Sequence, residues 1–235
     1  ELPLNRIERC TMLVVGLTGG IASGKTIVAR MLKSMGAKVI DADAISREIM
    51  VPHTDCWKRI VKRFGETILR KDRTIDRKKL ASQIFFDPEK RTLLNRIVHP
   101  FIKKRIKEMI AAIGKADPAA LVIIDAALLV ETGMYRDYDK LVVVAADKEV
   151  QIARLVRRNH LSVTDARSRI RAQLPLDRKK RVADYVINNQ DSLAHTRSQT
   201  RALARELCAL RPLSLAKRSG TGKRSCVSGP DIKNT

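Results

Sequence analysis

Short runs of nearly unbroken Val, Ile and Leu recur at residues 12–17, 38–40, 121–124, 141–145 and 185–187, with helical patterning between them. Runs of this length predict strands. Because they are apolar throughout rather than alternating, they predict strands covered on both faces. Strands that alternate with helices in this way give a parallel sheet, so the expected class is α/β: a three-layer fold around a five-stranded parallel sheet. Residues 53–115 are too many for one crossover helix. They carry one apolar stripe at Trp57, Ile60, Val61 and Phe64 and a second at Ile97, Phe101, Ile102, Ile106 and Met109, which predicts three or four inserted helices. After the fourth strand, residues 152–181 form an arginine-dense stretch that reads as a helical hairpin, and residues 192–210 close the fold as an amphipathic helix.

At 235 residues and 44% hydrophobic content the chain is long and apolar enough for one sizeable core. No apolar stretch approaches the roughly 20 residues of a membrane span, and residues 1–11 lack the apolar centre of a signal peptide, so a cytoplasmic protein with no membrane partner is expected. Cys10, Cys56, Cys208 and Cys226 are widely separated and form no metal-ligand pattern. The charge does change the picture: 47 Lys and Arg against 25 Asp and Glu give +22. Such an excess suits either nucleic acid or a site for highly anionic small molecules. Residues 211–235 contribute six basic side chains and one acidic in a Ser-, Gly- and Lys-rich tail that is expected to be disordered. With only 3% aromatic residues there is little for single-stranded nucleic acid to stack on, and nucleic acid is disfavoured as the main partner.

Residues 19–26 read GGIASGKT, a complete GxxxxGK[ST] phosphate-binding loop, lying where the first strand should turn into a helix. Gly20, Ala22, Ser23, Gly24 and Lys25 would wrap phosphate oxygens with backbone N–H groups at the helix N-terminus. Lys25 would reach the β and γ phosphates, and Thr26 would offer its hydroxyl to Mg2+. Just after the second strand stand Asp41 and Asp43. Either could accept a proton from a substrate hydroxyl, and either could instead cap the next helix. The run 121–125 ends in Asp125, which would hold Mg2+ opposite Thr26. Leu129 and Glu131 follow in the next loop. Asn188 and Asn189 end the last strand where a purine commonly lies, although the pair is also ordinary turn chemistry. His99 with Pro100 reads as the start of an apolar helix or as a contact to an anionic substrate.

The segments LTGGIASGKT, VIDAD, LLNRIVHPFI, DAALLVE, RLVRRNHLS and QLPLDRKKRVADYVINN occur in this order. Together they closely resemble the dephospho-coenzyme A kinase family, over residues 12 to about 210. The resemblance implies a P-loop NTPase fold with ATP and Mg2+ as cofactors and dephospho-CoA as substrate. The γ-phosphoryl of ATP would go to the ribose 3′-hydroxyl. It implies a nucleotide core at 12–52 and 116–210, a CoA-binding helical insert at 53–115, a lid at 152–181, an extension at 1–11 and a basic tail at 211–235. By motif, Asp43 is the expected base and Asp41 its neighbour, with Lys25, Arg154 and Arg158 as catalytic cations. Ile27 and Asn188 would lie at the nucleotide, and His99, Leu129 and Glu131 at the substrate. The chain departs from the family pattern: Ala22 stands for the usual Gly, Ile27 for a Thr, Ala127 for a Pro and Val130 for a Phe.

Other acceptors remain open on the residues alone, since another P-loop kinase of a nucleoside monophosphate or a metabolite hydroxyl would share the loop. A regulatory GTPase is disfavoured, because no NKxD segment is present. The assignment accounts for the charge: ATP and the pyrophosphate of dephospho-CoA bring many negative charges into one cleft, and phosphoryl transfer relies on cations that neutralise them.

Overall fold

The structure, a computed structural model, describes residues 12–85 and 87–210. The expected extension at 1–11 and tail at 211–235 lie outside the described residues. All five expected strands form: β1 (Leu13–Gly19), β2 (Lys38–Asp41), β3 (Leu121–Asp125), β4 (Lys140–Ala145) and β5 (Tyr185–Asn188). They make one sheet in the order β2-β3-β1-β4-β5. The pairings β1–β3, β1–β4 and β4–β5 are parallel, with Leu17 beside Asp125 and Gly19 beside Val144.

The described residues divide into two compact units, one of residues 12–39 and 116–210, the other within residues 40–115. In the first, all seven residues of β1 are buried, as expected of a central strand in a sheet covered on both sides. One face is packed by α1 (Lys25–Ser34) and α9 (Leu193–Ala209), through Val28, Leu32, Leu203 and Leu207 against Val15, Leu17, Ile123 and Val142. After β4 come α6 (Lys148–Asn159), α7 (Val163–Arg171) and the short α8 (Leu176–Lys180), which together fill the expected arginine-dense stretch.

The second unit is helical: α2 (Ala42–Glu48), α3 (Asp55–Phe64), α4 (Arg77–Phe85) and α5 (Pro88–Ala116). Its core joins Trp57, Ile60 and Phe64 of α3 to Leu80 and Val98, with Ile97, Phe101 and Ile102 packed at its edge. The compact helical unit takes in α2 and runs from Ile40, whereas the expected insert starts at residue 53. One expectation is corrected here. No helix starts at His99; α5 starts at Pro88 and runs straight through Pro100. Pro88 suits the first helical position, where its missing N–H would have no partner, and Asp87 caps the end by accepting from Lys90 N. An interior proline costs about 3 kcal/mol. Burial of the stripe Val98, Ile102 and Ile106, which continues past the proline in steps of four, holds the helix together across it.

Candidate active site

The phosphate loop leaves β1 at Gly19 and enters α1 at Lys25, with a Ser23 N–H to Gly20 carbonyl bond (3.1 Å) closing its turn. Gly24 has φ 92°, a left-handed conformation that side chains rarely adopt, and a Cβ there would lie 1.8 Å from Asn189 Nδ2. Glycine is therefore required twice over. Ala22 also stands in the left-handed region, at φ 57°, where the family pattern has glycine. The Cβ is accommodated at a local cost of about 1–2 kcal/mol.

The loop is held from its carbonyl side. Arg154 of α6 donates Nη1 to the carbonyls of Ala22 (3.3 Å) and Ser23 (3.4 Å), and Nη2 to that of Asn189 (2.8 Å). Asn189 donates Nδ2 to Ser23 O at 2.7 Å and accepts from Thr196 Oγ1 at 2.7 Å, all within buried surroundings. Gln173 Oε1 accepts from Ile21 N at 2.7 Å. A peptide's N–H points opposite to its C=O, so the anchoring of Gly19 and Ser23 carbonyls turns the N–H groups of Gly20 and Gly24 the other way. Those N–H groups, with the N–H groups of Lys25 and Thr26 at the start of α1, make an anion cradle. Ser23 Oγ is buried and has no hydrogen-bond partner among the described residues, a donor that a bound oxyanion would satisfy. Lys25 Nζ pairs with Asp125 at the end of β3, both side chains largely shielded from solvent. The helix start and β3 thus converge on one ion pair.

The family model for dephospho-CoA kinase matches residues 13–195. The chain belongs to the dephospho-CoA kinase family. It is 46% identical over 196 residues to a dephospho-CoA kinase of Syntrophotalea carbinolica, covering 83% of this chain and 92% of that protein. It is 41% identical over 219 residues to a dephospho-CoA kinase domain-containing protein of Danio rerio, covering 90% and 95%. Among solved structures, TT1252 from Thermus thermophilus superimposes with a TM-score of 0.73 at 29% identity, covering 84% of this chain and 98% of that one. The dephospho-CoA kinase from Campylobacter jejuni gives a TM-score of 0.55 at 26% identity, covering 83% and 97%. Members of this family are ATP-dependent kinases of dephospho-CoA in coenzyme A biosynthesis. No helix among the described residues is long and apolar enough to cross a membrane.

Against the motifs of dephospho-CoA kinase, the other expected residues divide. Asp41 is the cap of α2, accepting from Ala44 N at 2.9 Å, while Asp43 sits exposed in the first turn. Of the two open readings, the structure gives the cap to Asp41. Leu129 is 1% exposed and its Cδ1 packs over β1 at Gly16, so its side chain belongs to the core. Glu131, an exposed residue, accepts through Oε1 from Lys179 Nζ at 2.7 Å and from Leu174 N at 3.4 Å. Asn188 has its backbone clasped by Gln199, N to Oε1 at 2.9 Å and O from Nε2 at 2.8 Å. Arg158 is exposed, with Nε on Asn159 Oδ1. Ile27 is 40% exposed on α1, in a surface groove with Leu193, Arg197 and Arg201. His99 is half-buried within α5, and burial followed by the charge of Lys103 lowers its pKa below the ordinary 6.5. Sequence reasoning singled out neither Asn189 over Asn188 nor Lys179 and Gln173. Their signal lay in the QLPLDRKKRVADYVINN segment, where Leu176 and Lys179, three apart, share the inward face of α8.

Proposed function

We propose that this protein transfers the γ-phosphoryl of ATP to the ribose 3′-hydroxyl of dephospho-CoA, with Asp43 as the base that receives the hydroxyl proton. The observation that carries the reading is the convergence of Lys25 and Asp125 beside a loop whose N–H groups are turned into a cradle. Thr26 and Asp125 are the residues that would hold Mg2+. Their hard oxygen donors suit an ion that takes one or two protein ligands and completes its shell with phosphate and water. When bound, the ion supplies charge neutralisation on the phosphate oxygens. Lys25 would then leave Asp125 for the β and γ phosphates. Arg154 is committed to loop carbonyls, so its contribution is to orient the cradle, and Arg158 is the exposed arginine available to the phosphates.

Asp43 is favoured over Asp41 because the Asp41 carboxylate already serves the helix end. An assay with ATP and Mg2+ offering dephospho-CoA, AMP or shikimate should show turnover only with the first. Asp43→Asn should lower kcat by about 100-fold, the usual worth of a positioned base, with ATP affinity kept. Asp41→Ala should cost about 1 kcal/mol of stability, as cap removal does, and leave most of kcat. Turnover of another acceptor alone, or a fully active Asp43→Asn, would sink the respective assignment.

A further inference from the structure

We infer that Lys179 is a positioning residue that sets the register between the phosphate loop and the loop following β3. Its side chain is wholly buried, at 0% exposure, in a five-residue helix. Its three N–H donors meet three oxygens: the carbonyls of Gly19 (3.3 Å) and Ala127 (3.1 Å) and Glu131 Oε1 (2.7 Å). Desolvating an ammonium is costly, and an apolar side chain of similar size would serve packing better. The charge must therefore hold something that packing could not. The two carbonyls identify it. Gly19 is where β1 passes into the phosphate loop, and Ala127 lies two residues beyond Asp125. The Ala127 carbonyl also accepts from Thr18 Oγ1 at 3.0 Å, so β1 and the loop after β3 share one oxygen at this point. Lys179 thus joins the two segments whose side chains meet as the Lys25–Asp125 pair.

The surrounding segment does the same on the loop's other flank. Gln173 takes the Ile21 N–H, and Leu174 N reaches Glu131, so residues 173–179 are fastened to the phosphate loop at its start and at its first turn. Phosphoryl transfer rests on positioning, and a shift of about 1 Å in such a frame can cost 100-fold in rate. Resting on the kinase reading above, Lys179→Met should lower kcat by about 100-fold and weaken ATP binding, through a displaced loop and not through loss of a group that touches substrate.

Lys179→Met alone leaves the Gly19 carbonyl and the Glu131 carboxylate without the ammonium they share and can simply unfold. The deciding variant is therefore Lys179→Met/Glu131→Leu, which removes both charges and should recover the parent melting temperature. We expect it to stay at least about 10-fold below the parent in kcat, and Lys179→Arg to recover part of the rate, since a guanidinium can reach the same oxygens. A double variant that melts like the parent and turns over within about threefold of it would reduce Lys179 to a structural residue and overturn the inference. ATP binding is measured in parallel with a fluorescent ATP analogue and needs no acceptor. If the parent fails to phosphorylate dephospho-CoA, the kinase reading fails, while weakened analogue binding in the double variant still supports loop positioning and unchanged binding refutes it.

Discussion

Truncating Asn189 should show that the phosphate loop is set by hydrogen bonds to its carbonyls. Asn189→Ala removes the Nδ2 bond to Ser23 O and the Oδ1 acceptor of Thr196 Oγ1, each 2.7 Å long and buried. Two net hydrogen bonds are worth about 1 kcal/mol each. Neither partner is fully orphaned, because Arg154 Nη1 still reaches Ser23 O at 3.4 Å and the Thr196 hydroxyl still reaches Ser192 O at 3.3 Å. The expected loss is about 2–3 kcal/mol in total, a little above the two bonds alone because a small void also opens. For a chain of this size that lowers Tm by about 4–12 °C. Thr196→Val removes the second bond and the longer one to Ser192 O, and should cost about 1–2 kcal/mol, chiefly because it leaves Asn189 Oδ1 unpaired. Since the bond between Thr196 and Asn189 is missing from both single variants, the double variant should be less destabilised than the sum by about 1 kcal/mol. Chemical denaturation of the four proteins in the cycle measures this directly, with ATP-analogue affinity read on the same samples. Additivity within about 0.5 kcal/mol, or an Asn189→Ala variant that melts within about 2 °C of the parent, would refute the argument.

Two further outcomes follow from the packing. Gly16→Ala would bring a Cβ to 3.0 Å from Leu129 Cδ1 and 3.1 Å from Tyr138 Cδ2, so overpacking should cost about 1–3 kcal/mol in a melting experiment. His99 is held below its ordinary pKa of 6.5, chiefly by burial, so it stays neutral in the folded protein where the unfolded chain would already protonate. That contribution is intact above pH 6.5 and is lost as the pH falls below it, and His99→Gln should flatten the stability profile between pH 8 and pH 5.

The central strands were legible because they are apolar on both faces, and burial on both faces leaves little room for any other reading of Leu13–Gly19 or Leu121–Asp125. The long helix α5 was misread at His99–Pro100 for a physical reason: a proline's local cost is visible in sequence, whereas the buried stripe that outweighs it depends on what α3 brings to the other side. The phosphate loop announces its own chemistry, but the residues that fasten it do not. Lys179 sits in a run of four basic residues, and in sequence nothing marks which of four cations turns inward. Asn189 differs from Asn188 only by the strand's alternation. With β5 ending at Asn188, the next side chain falls on the side of the loop, while Asn188 is engaged by Gln199.

A site residue in this fold can act on the nucleotide by a route that no motif records. Phosphate binding by a loop needs its N–H groups to point one way, and in a trans peptide this is equivalent to holding the carbonyls the other way. Here the carbonyls of Gly19, Ala22 and Ser23 are held by an ammonium, a guanidinium and an amide, from α8, α6 and the end of β5. Such anchors also explain how Ala22 can occupy a left-handed position without glycine: its own carbonyl is fixed by Arg154, so the surrounding structure, and not the residue's own preference, selects the conformation. The cations that a charge count would place over the phosphates are in part behind the loop, where they shape the cradle rather than fill it.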